Sequence, residues 1–286
     1  MTYQRTESPL RKWTNLAPFP EPPLIKLRCP LVLMHGFGML AAFRRGGIFH
    51  ETAMNLRKRG VCAFAPNVAP YQTVPVRAKM WKERIEHILD ETGTDEVNLV
   101  AHSMGGLDAR YLIHELGLHT VVASLTTIAS PHEGTPLADI VLEQPERLHA
   151  WLAGLAHWIS QTAMQEASAD FTRAVAELTT SYVTGTFNPA VPDHSSVQYW
   201  SYSGRAGKGT DIPISPLLRP MNAWLYARDG VNDGFVPEAR AHWGTFLGTL
   251  DADHTQQVGL DFTIRSRFDA SAFYYSLAEH LTNSGL

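Results

Sequence analysis

The chain has few cysteines, no long apolar run and no excess of basic residues. It has only two cysteines, Cys29 and Cys62, so a disulfide-based scaffold is excluded. No run of about 18 apolar residues occurs, which excludes a membrane-spanning helix. Lysine and arginine total 24 against 28 aspartates and glutamates, and the resulting net charge of −4 provides no basic surface for nucleic acid.

The N-terminal residues also lack the apolar stretch of a secretion signal. Residues 1–28 contain charges and prolines, and PFPEPP at 18–23 favours an extended arm. We therefore expect a cytoplasmic protein, with secretion by another route left open. The whole chain is 44% apolar, as is usual for folded proteins, and residues 29–286 are expected to form the folded domain.

Apolar runs alternate with amphipathic helical patterns in the first half of the chain. This alternation predicts an α/β fold with a mostly parallel central sheet flanked by helices, because parallel strands need helical crossovers. The runs are uniformly apolar, as expected for strands buried on both faces. Strands are predicted at 30–34, 61–65, 97–101 and 121–128, and helices at 49–59, at 76–92 and from the end of the third strand to about 116.

The alternation stops at about 135–196, a segment with no strand signal. A strand at 198–203, a tail of loops and helices, and an amphipathic helix at about 271–281 follow it. The simplest architecture is one α/β domain with a helical insertion. The insertion is predicted to contain a second helix at 167–180 and, before it, an apolar stripe of Leu148, Trp151, Leu152, Leu155, Trp158 and Ile159.

The strongest local motif is VNLVAHSMGG at 97–106. A strand, a sharp turn and a helix place Ser103 at the turn, which is the nucleophile-elbow pattern small-x-Ser-x-Gly. The residues two before and two after the serine must be small because the strained turn brings them close together. Ala101 and Gly105 meet this requirement.

Two backbone N–H groups are expected to stabilise the oxyanion that forms when such a serine attacks a carbonyl. One belongs to the residue after the nucleophile, which is Met104. The other comes from the turn after an early core strand. HGF at 35–37 follows the first strand, so Phe37 is the second candidate.

A general base and an acid should follow the serine along the chain, the acid first. Asp233 in an Asn-Asp-Gly turn and His254 in a polar loop satisfy this order. The other histidines beyond Asp233 are His242 and His280, the latter predicted on the solvated face of the last helix. The rival acids are Asp229, Asp251 and Asp253.

From about residue 30 to 283 the chain resembles the bacterial true lipases of the Pseudomonas, Burkholderia and Proteus type, within the α/β-hydrolases. The resemblance implies Ser103 as nucleophile, Asp233 as acid, His254 as base, oxyanion donors at Phe37 and Met104, and a helical lid. The motifs that carry it are VLMHGFG (32–38), VNLVAHSMGGLDARY (97–111), TTIASPHEGTPLAD (126–139), NDGFVP (232–237), the histidine loop at 254 and DASAFYYSLAEHL (269–281).

The chain departs from the family at the structural calcium site. The family places one aspartate upstream of the catalytic acid and another two residues after the histidine. The second position is Gln256 here, so the motif is broken, although Asp211 and Asp261 are candidates for a rebuilt site. We expect that no metal or other cofactor is required, because Ca²⁺ prefers several carboxylate oxygens.

The apolar stripe of the insertion predicts part of an acyl pocket, formed by Trp151, Leu155 and Trp158, under a lid that contacts a lipid interface. The alternative is that the stripe is an ordinary buried helix face. A preference for short to medium acyl chains is expected.

The expected activity is hydrolysis of small-molecule or lipid carboxylic esters through an acyl-enzyme. Acyl transfer, thioester hydrolysis or polyester depolymerisation on the same triad is the alternative, since fold alone does not separate these reactions. A catalytically silent binding protein is disfavoured by the intact order of serine, acid and histidine.

Overall fold

The computed structural model describes residues 24–38, 46–143, 169–263 and 267–286. Within these ranges a single sheet has six strands, all parallel, in the order β2-β1-β3-β4-β5-β6. The α/β prediction is confirmed. The strands are β1 (Leu31–Met34), β2 (Ala63–Phe64), β3 (Val97–His102), β4 (Val122–Ile128), β5 (Gln198–Gly204) and β6 (Thr245–Leu250).

Helices connect the strands and follow the predicted amphipathic patterns. A helical segment with a π-helical middle, Thr180–Tyr182, Val183–Phe187 and Asn188–Ala190, precedes β5. The longer helices are α1 (His50–Lys58), α2 (Val74–Thr92), α3 (Gly105–His114), α4 (Pro136–Glu143), α5 (Ala169–Ala176), α6 (Arg219–Asp229) and α7 (Ala270–Asn283).

The core lies on both faces of the sheet, which is why the strands are apolar without alternation. Leu31 and Leu33 of β1 pack with α1 and α7, through residues such as Leu56 and Leu277. The intervening residues of β1 face α2 and α3 on the opposite side, in a cluster that contains Trp81. Because the helices cover both faces, the carboxyl edge of the sheet remains as the place where a site can open.

One part of the sheet differs from the sequence-based prediction. Loops and helices are expected between 204 and 270, and this prediction is wrong at Thr245–Leu250, which forms β6. Strand β6 lies at the edge of the sheet, so Phe246 is exposed. Gly248, which has a positive φ, interrupts the apolar run that would predict a strand. A half-exposed strand that contains glycine lacks the continuous apolar run that identifies the inner strands.

The described parts of the insertion at 135–196 form α4, α5 and the π-containing segment, and end in a non-helical stretch at 191–196. The predicted apolar stripe, including Trp151, Leu155 and Trp158, lies outside the described residues, as does most of the arm at 1–28. In the described parts of the chain, no helix is both long and apolar enough to cross a membrane.

Candidate active site

Ser103 lies at the carboxyl edge of the sheet, in the turn between β3 and α3. Its φ of 58° is in the left-handed region, which is strained for a residue with a side chain and indicates a functional constraint. A Cβ on Gly36 would lie 2.6 Å from the Cβ of Ser103, and one on Gly105 would lie 3.0 Å from the carbonyl oxygen of His35. Small residues are therefore required where the two turns meet.

His254 and Asp233 form a buried hydrogen-bonded pair. The His254 Nδ1 is 2.7 Å from Asp233 Oδ2, and the backbone N–H of His254 donates to the Asp233 carbonyl at 3.0 Å. Asp233 Oδ1 accepts hydrogen bonds from the N–H groups of Phe235 and Val236. Burial alone raises the pKa of Asp233, but His254 and these donors outweigh it and hold that pKa below its usual value. The carboxylate is therefore ionised and ready to orient the imidazole.

The turn that carries Asp233 is fixed from α6. The amide of Asn222 donates to Asn232 Oδ1 at 2.9 Å, and the same oxygen accepts from the N–H of Gly234. The positive φ of Gly234, 102°, completes the turn. Sequence reasoning missed Asn222, because an asparagine inside a helix carries no signal for a contact ten residues away.

The rival acids are engaged elsewhere. Asp229 pairs with Arg240, and the exposed Asp251 pairs with Arg205 at 2.7 Å. The buried Asp253 accepts from the backbone N–H of Ser215 at 2.7 Å. Of these carboxylates, Asp233 is the one that contacts His254.

The rival histidines also lie away from Ser103. The exposed ring of His242 lies tilted against Phe246, with centroids 3.7 Å apart. His280 is half-buried against Trp200, so its predicted place on the solvated face of the last helix is wrong. Helix α7 therefore buries more of its surface than the spacing of its large apolar residues predicts.

Ser103 and His254 line one small cavity of about 20 Å³, together with His35, Gly36 and Phe37. A larger cavity of about 280 Å³ lies on another side of the histidine loop and contains neither residue. We place the site at the smaller cavity, because reacting groups must face a common space whatever its volume.

The expected oxyanion donors lie beside this cavity. A Cβ on Gly36 would be 3.0 Å from the backbone N of Met104, so the turn before Phe37 packs directly on the elbow. Within the described ranges, neither Phe37 nor Met104 donates its N–H to a backbone carbonyl. Neither expected donor therefore has a competing backbone acceptor among the described residues.

A buried ion pair supports the turn before Phe37. Arg77 of α2 donates through Nη2 to the His35 carbonyl at 2.7 Å and through Nε to Asp108 Oδ2 at 2.8 Å. Asp108 lies on α3, directly after the elbow, so the pair joins both sides of the site. Sequence reasoning missed Arg77, although its position four residues before the buried Trp81 places it on the apolar face of α2.

Residues 30–179, more than half of the chain, match the family described as the alpha/beta hydrolase fold. The chain belongs to the α/β-hydrolase fold family. A triacylglycerol lipase of Pseudomonas fragi is 24% identical over 92% of this chain and 99% of its own length. Triacylglycerol lipase 2 of Saccharomyces cerevisiae is 27% identical over 80% of this chain and 72% of its own.

Solved structures support the same placement. The mature Bacillus licheniformis lipase BlEst2 superposes with a TM-score of 0.67 at 22% identity, covering 93% of this chain and 96% of the other. The metagenomic carboxyl esterase MGS0156 gives a TM-score of 0.71 at 19% identity, covering 94% and 79%. The α/β-hydrolase fold and the resemblance to bacterial lipases are confirmed.

The calcium site that the family resemblance implies does not fit the residues of this α/β-hydrolase. The Gln256 amide nitrogen donates to Asp261 Oδ1 and to Thr263 Oγ1, while its oxygen accepts from the N–H of Asp253. A calcium ion at this position would need oxygen ligands, but the NH₂ group of Gln256 directs its hydrogens toward Asp261. In the described part of the chain, no group of three or more histidine, cysteine or acidic side chains could hold a metal. Asp211 is exposed.

An aromatic group joins the insertion to the oxyanion turn. The rings of Phe37 and Phe171 lie 5.4 Å apart, and Tyr71 lies 5.3 Å from Phe37 and 5.8 Å from Phe171. Phe171 belongs to α5, so this helix of the insertion contacts Phe37, whose N–H is a proposed oxyanion donor.

His102 lies next to the serine, at the end of β3. Its ring is buried, and its centroid lies 4.4 Å from that of His254. Burial, with the nearby His254, lowers the pKa of His102 to about 3, so this ring is neutral. A neutral imidazole thus packs against the candidate base.

Proposed function

We infer that the protein is a serine hydrolase of carboxylic esters. The observation that carries this inference is the cavity that His254, hydrogen-bonded to Asp233, shares with Ser103, whose backbone is held in the left-handed region. Relatives named as triacylglycerol lipases support an ester as the substrate.

We propose the following roles. The Ser103 hydroxyl attacks the ester carbonyl while His254 Nε2 takes its proton, and the N–H groups of Phe37 and Met104 stabilise the oxyanion. His254 then gives the proton to the leaving alcohol. Water, activated by the same imidazole, attacks the acyl-serine and releases the carboxylic acid. Asp233 holds the Nδ1–H and stabilises the imidazolium.

Hydrolysis of p-nitrophenyl butyrate tests these roles. Ser103→Ala should lower kcat by several orders of magnitude, because the nucleophile is lost. Ser196→Ala, at an exposed serine, is the control and should retain the wild-type rate. Near-normal turnover by a folded Ser103→Ala protein would end the assignment. Partition of the acyl group between water and added alcohols separates hydrolysis from acyl transfer.

We further propose that the insertion completes the acyl pocket through Trp151, Leu155 and Trp158 and favours short to medium acyl chains. The contact between Phe171 and Phe37 supports this, because it brings helix α5 of the insertion to the oxyanion turn. Polar replacements at Trp151 and Leu155 should change the chain-length profile of p-nitrophenyl esters without abolishing acetate hydrolysis. Loss of stability with an unchanged profile would make the stripe a core element.

We also propose that no calcium ion is needed, on the ground of the Gln256 geometry described above. Asp253 joins the histidine loop directly to Ser215, so this link needs no bridging cation.

A further inference from the structure

One amide group connects the three segments that carry the proposed catalytic residues. Gln257 lies on the turn after His254, and its side chain is fully buried. Its Nε2 donates to Asp233 Oδ2 at 3.0 Å and to the Ala252 carbonyl at 3.3 Å. Its Oε1 is 3.0 Å from Nε2 of His102, the residue before the nucleophile. The amide thus joins the histidine loop, the acid turn and the elbow.

The chemistry of the partners fixes the orientation of this amide. A carboxylate and a carbonyl only accept hydrogen bonds, so the NH₂ group of Gln257 must face Asp233 and Ala252. Its oxygen then faces His102, which must carry its proton on Nε2. Because His102 is neutral, that choice also determines its tautomer.

The surroundings hold Gln257 in this position. The hydroxyl of the buried Tyr274 donates to the Gln257 carbonyl at 3.1 Å, and the Gln257 N–H donates to the Asp253 carbonyl at 3.2 Å. A Cβ on Gly204 would lie 1.9 Å from Gln257 Nε2, so the glycine provides the space that the amide occupies.

We propose that Gln257 is a positioning residue of the active site, whose amide fixes the Asp233 carboxylate and the His102 ring in one arrangement. This proposal rests on the proposed ester hydrolysis. Asp233 Oδ2 accepts from both His254 and Gln257, so the amide limits how far the carboxylate can rotate away from the imidazole. A donor to that oxygen also moderates the pull of the carboxylate on a protonated His254.

The His254–Asp233 pair has titratable neighbours among the described residues. Asp233 and His102 face the His254 ring, and Asp253, on the same loop, directs its carboxylate to Ser215 and to the backbone of its own turn. The acidic limb of the kcat/KM–pH profile therefore reports mainly on His254 with Asp233 and their hydrogen bonds.

Two replacements at position 257 test the proposal. Gln257→Met keeps the length but removes all three hydrogen bonds of the amide, and it should lower kcat about 10- to 100-fold with little change in KM. Gln257→Glu places a second carboxylate against Asp233, which favours the imidazolium, and it should move the acidic limb up by about one pH unit. Gln257→Met should move the limb in the same direction by less.

The control is Gln256→Met on the same turn, since that amide faces Asp261 and Thr263. It should lower the melting temperature but leave the acidic limb in place. The proposal is wrong if folded Gln257→Met and Gln257→Glu proteins keep the wild-type kcat and limb. Should the methionine variant not fold, the limb of the nearly isosteric glutamate variant decides. Failure of ester hydrolysis in the wild type would instead overturn the proposed function.

Discussion

Among the carboxylates after Ser103, the four candidates for the acid differ in their partners. Asp233 accepts hydrogen bonds from His254 and two backbone N–H groups, whereas Asp229 pairs with Arg240. Asp229 and Asp233 lie close together in the chain, so replacing one carboxylate oxygen by an NH₂ group in each gives a matched comparison.

Asp233→Asn should lower kcat by about three to four orders of magnitude, since an amide in place of the carboxylate favours the wrong imidazole tautomer. Asp229→Asn should stay within a few-fold of the wild type, because it loses only an ion pair with Arg240. Steady-state hydrolysis of p-nitrophenyl butyrate measures both. Equal losses in the two variants, or a greater loss in Asp229→Asn, would move the acid to another residue.

At the scale of helices and loops, Glu177, which directly follows α5, joins the insertion to the start of α2. Its Oε2 accepts from the N–H of Val74 at 2.5 Å. Burial, more than the nearby Asp108, raises the pKa of Glu177 from 4.5 to about 7, although the N–H of Val74 opposes the shift. Between pH 4.5 and 7 the folded chain therefore holds a proton that the unfolded chain has lost, and stability falls as the pH rises through this window.

Glu177→Gln should remove this pH dependence, because the amide oxygen still accepts from Val74 but does not titrate. We expect a gain in melting temperature on the order of 1–3 °C above pH 7, shrinking to nothing near pH 4.5. Thermal melts at closely spaced pH values measure it. A gain that is the same at every pH would show that the charge of Glu177 has no part in it.

The histidine loop gives a second prediction at this scale. Because Asp253 ties the loop to Ser215, chelation by EDTA should leave the melting temperature unchanged, whereas Asp253→Ala should lower it. Removing the buried carboxylate leaves several backbone donors unpaired, at a cost of about 1–3 kcal/mol each. A clear fall with EDTA, reversed by calcium, would mean that loop oxygens rebuild a metal site.

The buried ion pair of Arg77 and Asp108 connects α2, α3 and the oxyanion turn. Arg77→Met should destabilise the protein by about 3–5 kcal/mol, because it leaves Asp108 buried without its charge partner. Arg77→Met with Asp108→Leu should recover part of that loss. Denaturant unfolding measures both, and a double variant no more stable than the single one would show that the charge is not the cause.

For the molecule as a whole, three buried histidines oppose protonation. Burial, with help from Arg77, lowers the pKa of His35 to about 3, and that of His102 is also about 3. Burial lowers the pKa of His132 well below its usual value. Below pH 6.5 the unfolded chain gains protons at these rings that the folded chain excludes.

Stability should therefore fall as the pH falls from about 6.5, beyond the smaller opposite effect of Glu177. His132→Gln should flatten this dependence, whatever it does to the melting temperature at neutral pH. Thermal melts between about pH 8 and 4 measure both proteins. A wild-type melting temperature that stays constant down to about pH 4.5 would contradict the account.

The fold and the order of the candidate residues could be predicted because they depend on local patterns. The strand before Ser103 is uniformly apolar, and the small residues around the serine follow from the turn itself. The supporting contacts could not be predicted, since they join distant segments: Gln257 lies 155 residues from His102, and Arg77 lies 31 from Asp108. Strand β6 was missed because an exposed edge imposes little on its sequence.

If Ser103 is the activated nucleophile of this protein, it should react covalently with an electrophile that mimics the ester. Incubation with a fluorophosphonate, followed by peptide mass spectrometry, should give one label per chain, on Ser103, with loss of ester hydrolysis in proportion to labelling. The Ser103→Ala protein should remain unlabelled, and His254→Ala should react far more slowly. A label on another serine, or complete labelling of Ser103 with undiminished ester hydrolysis, would contradict the account.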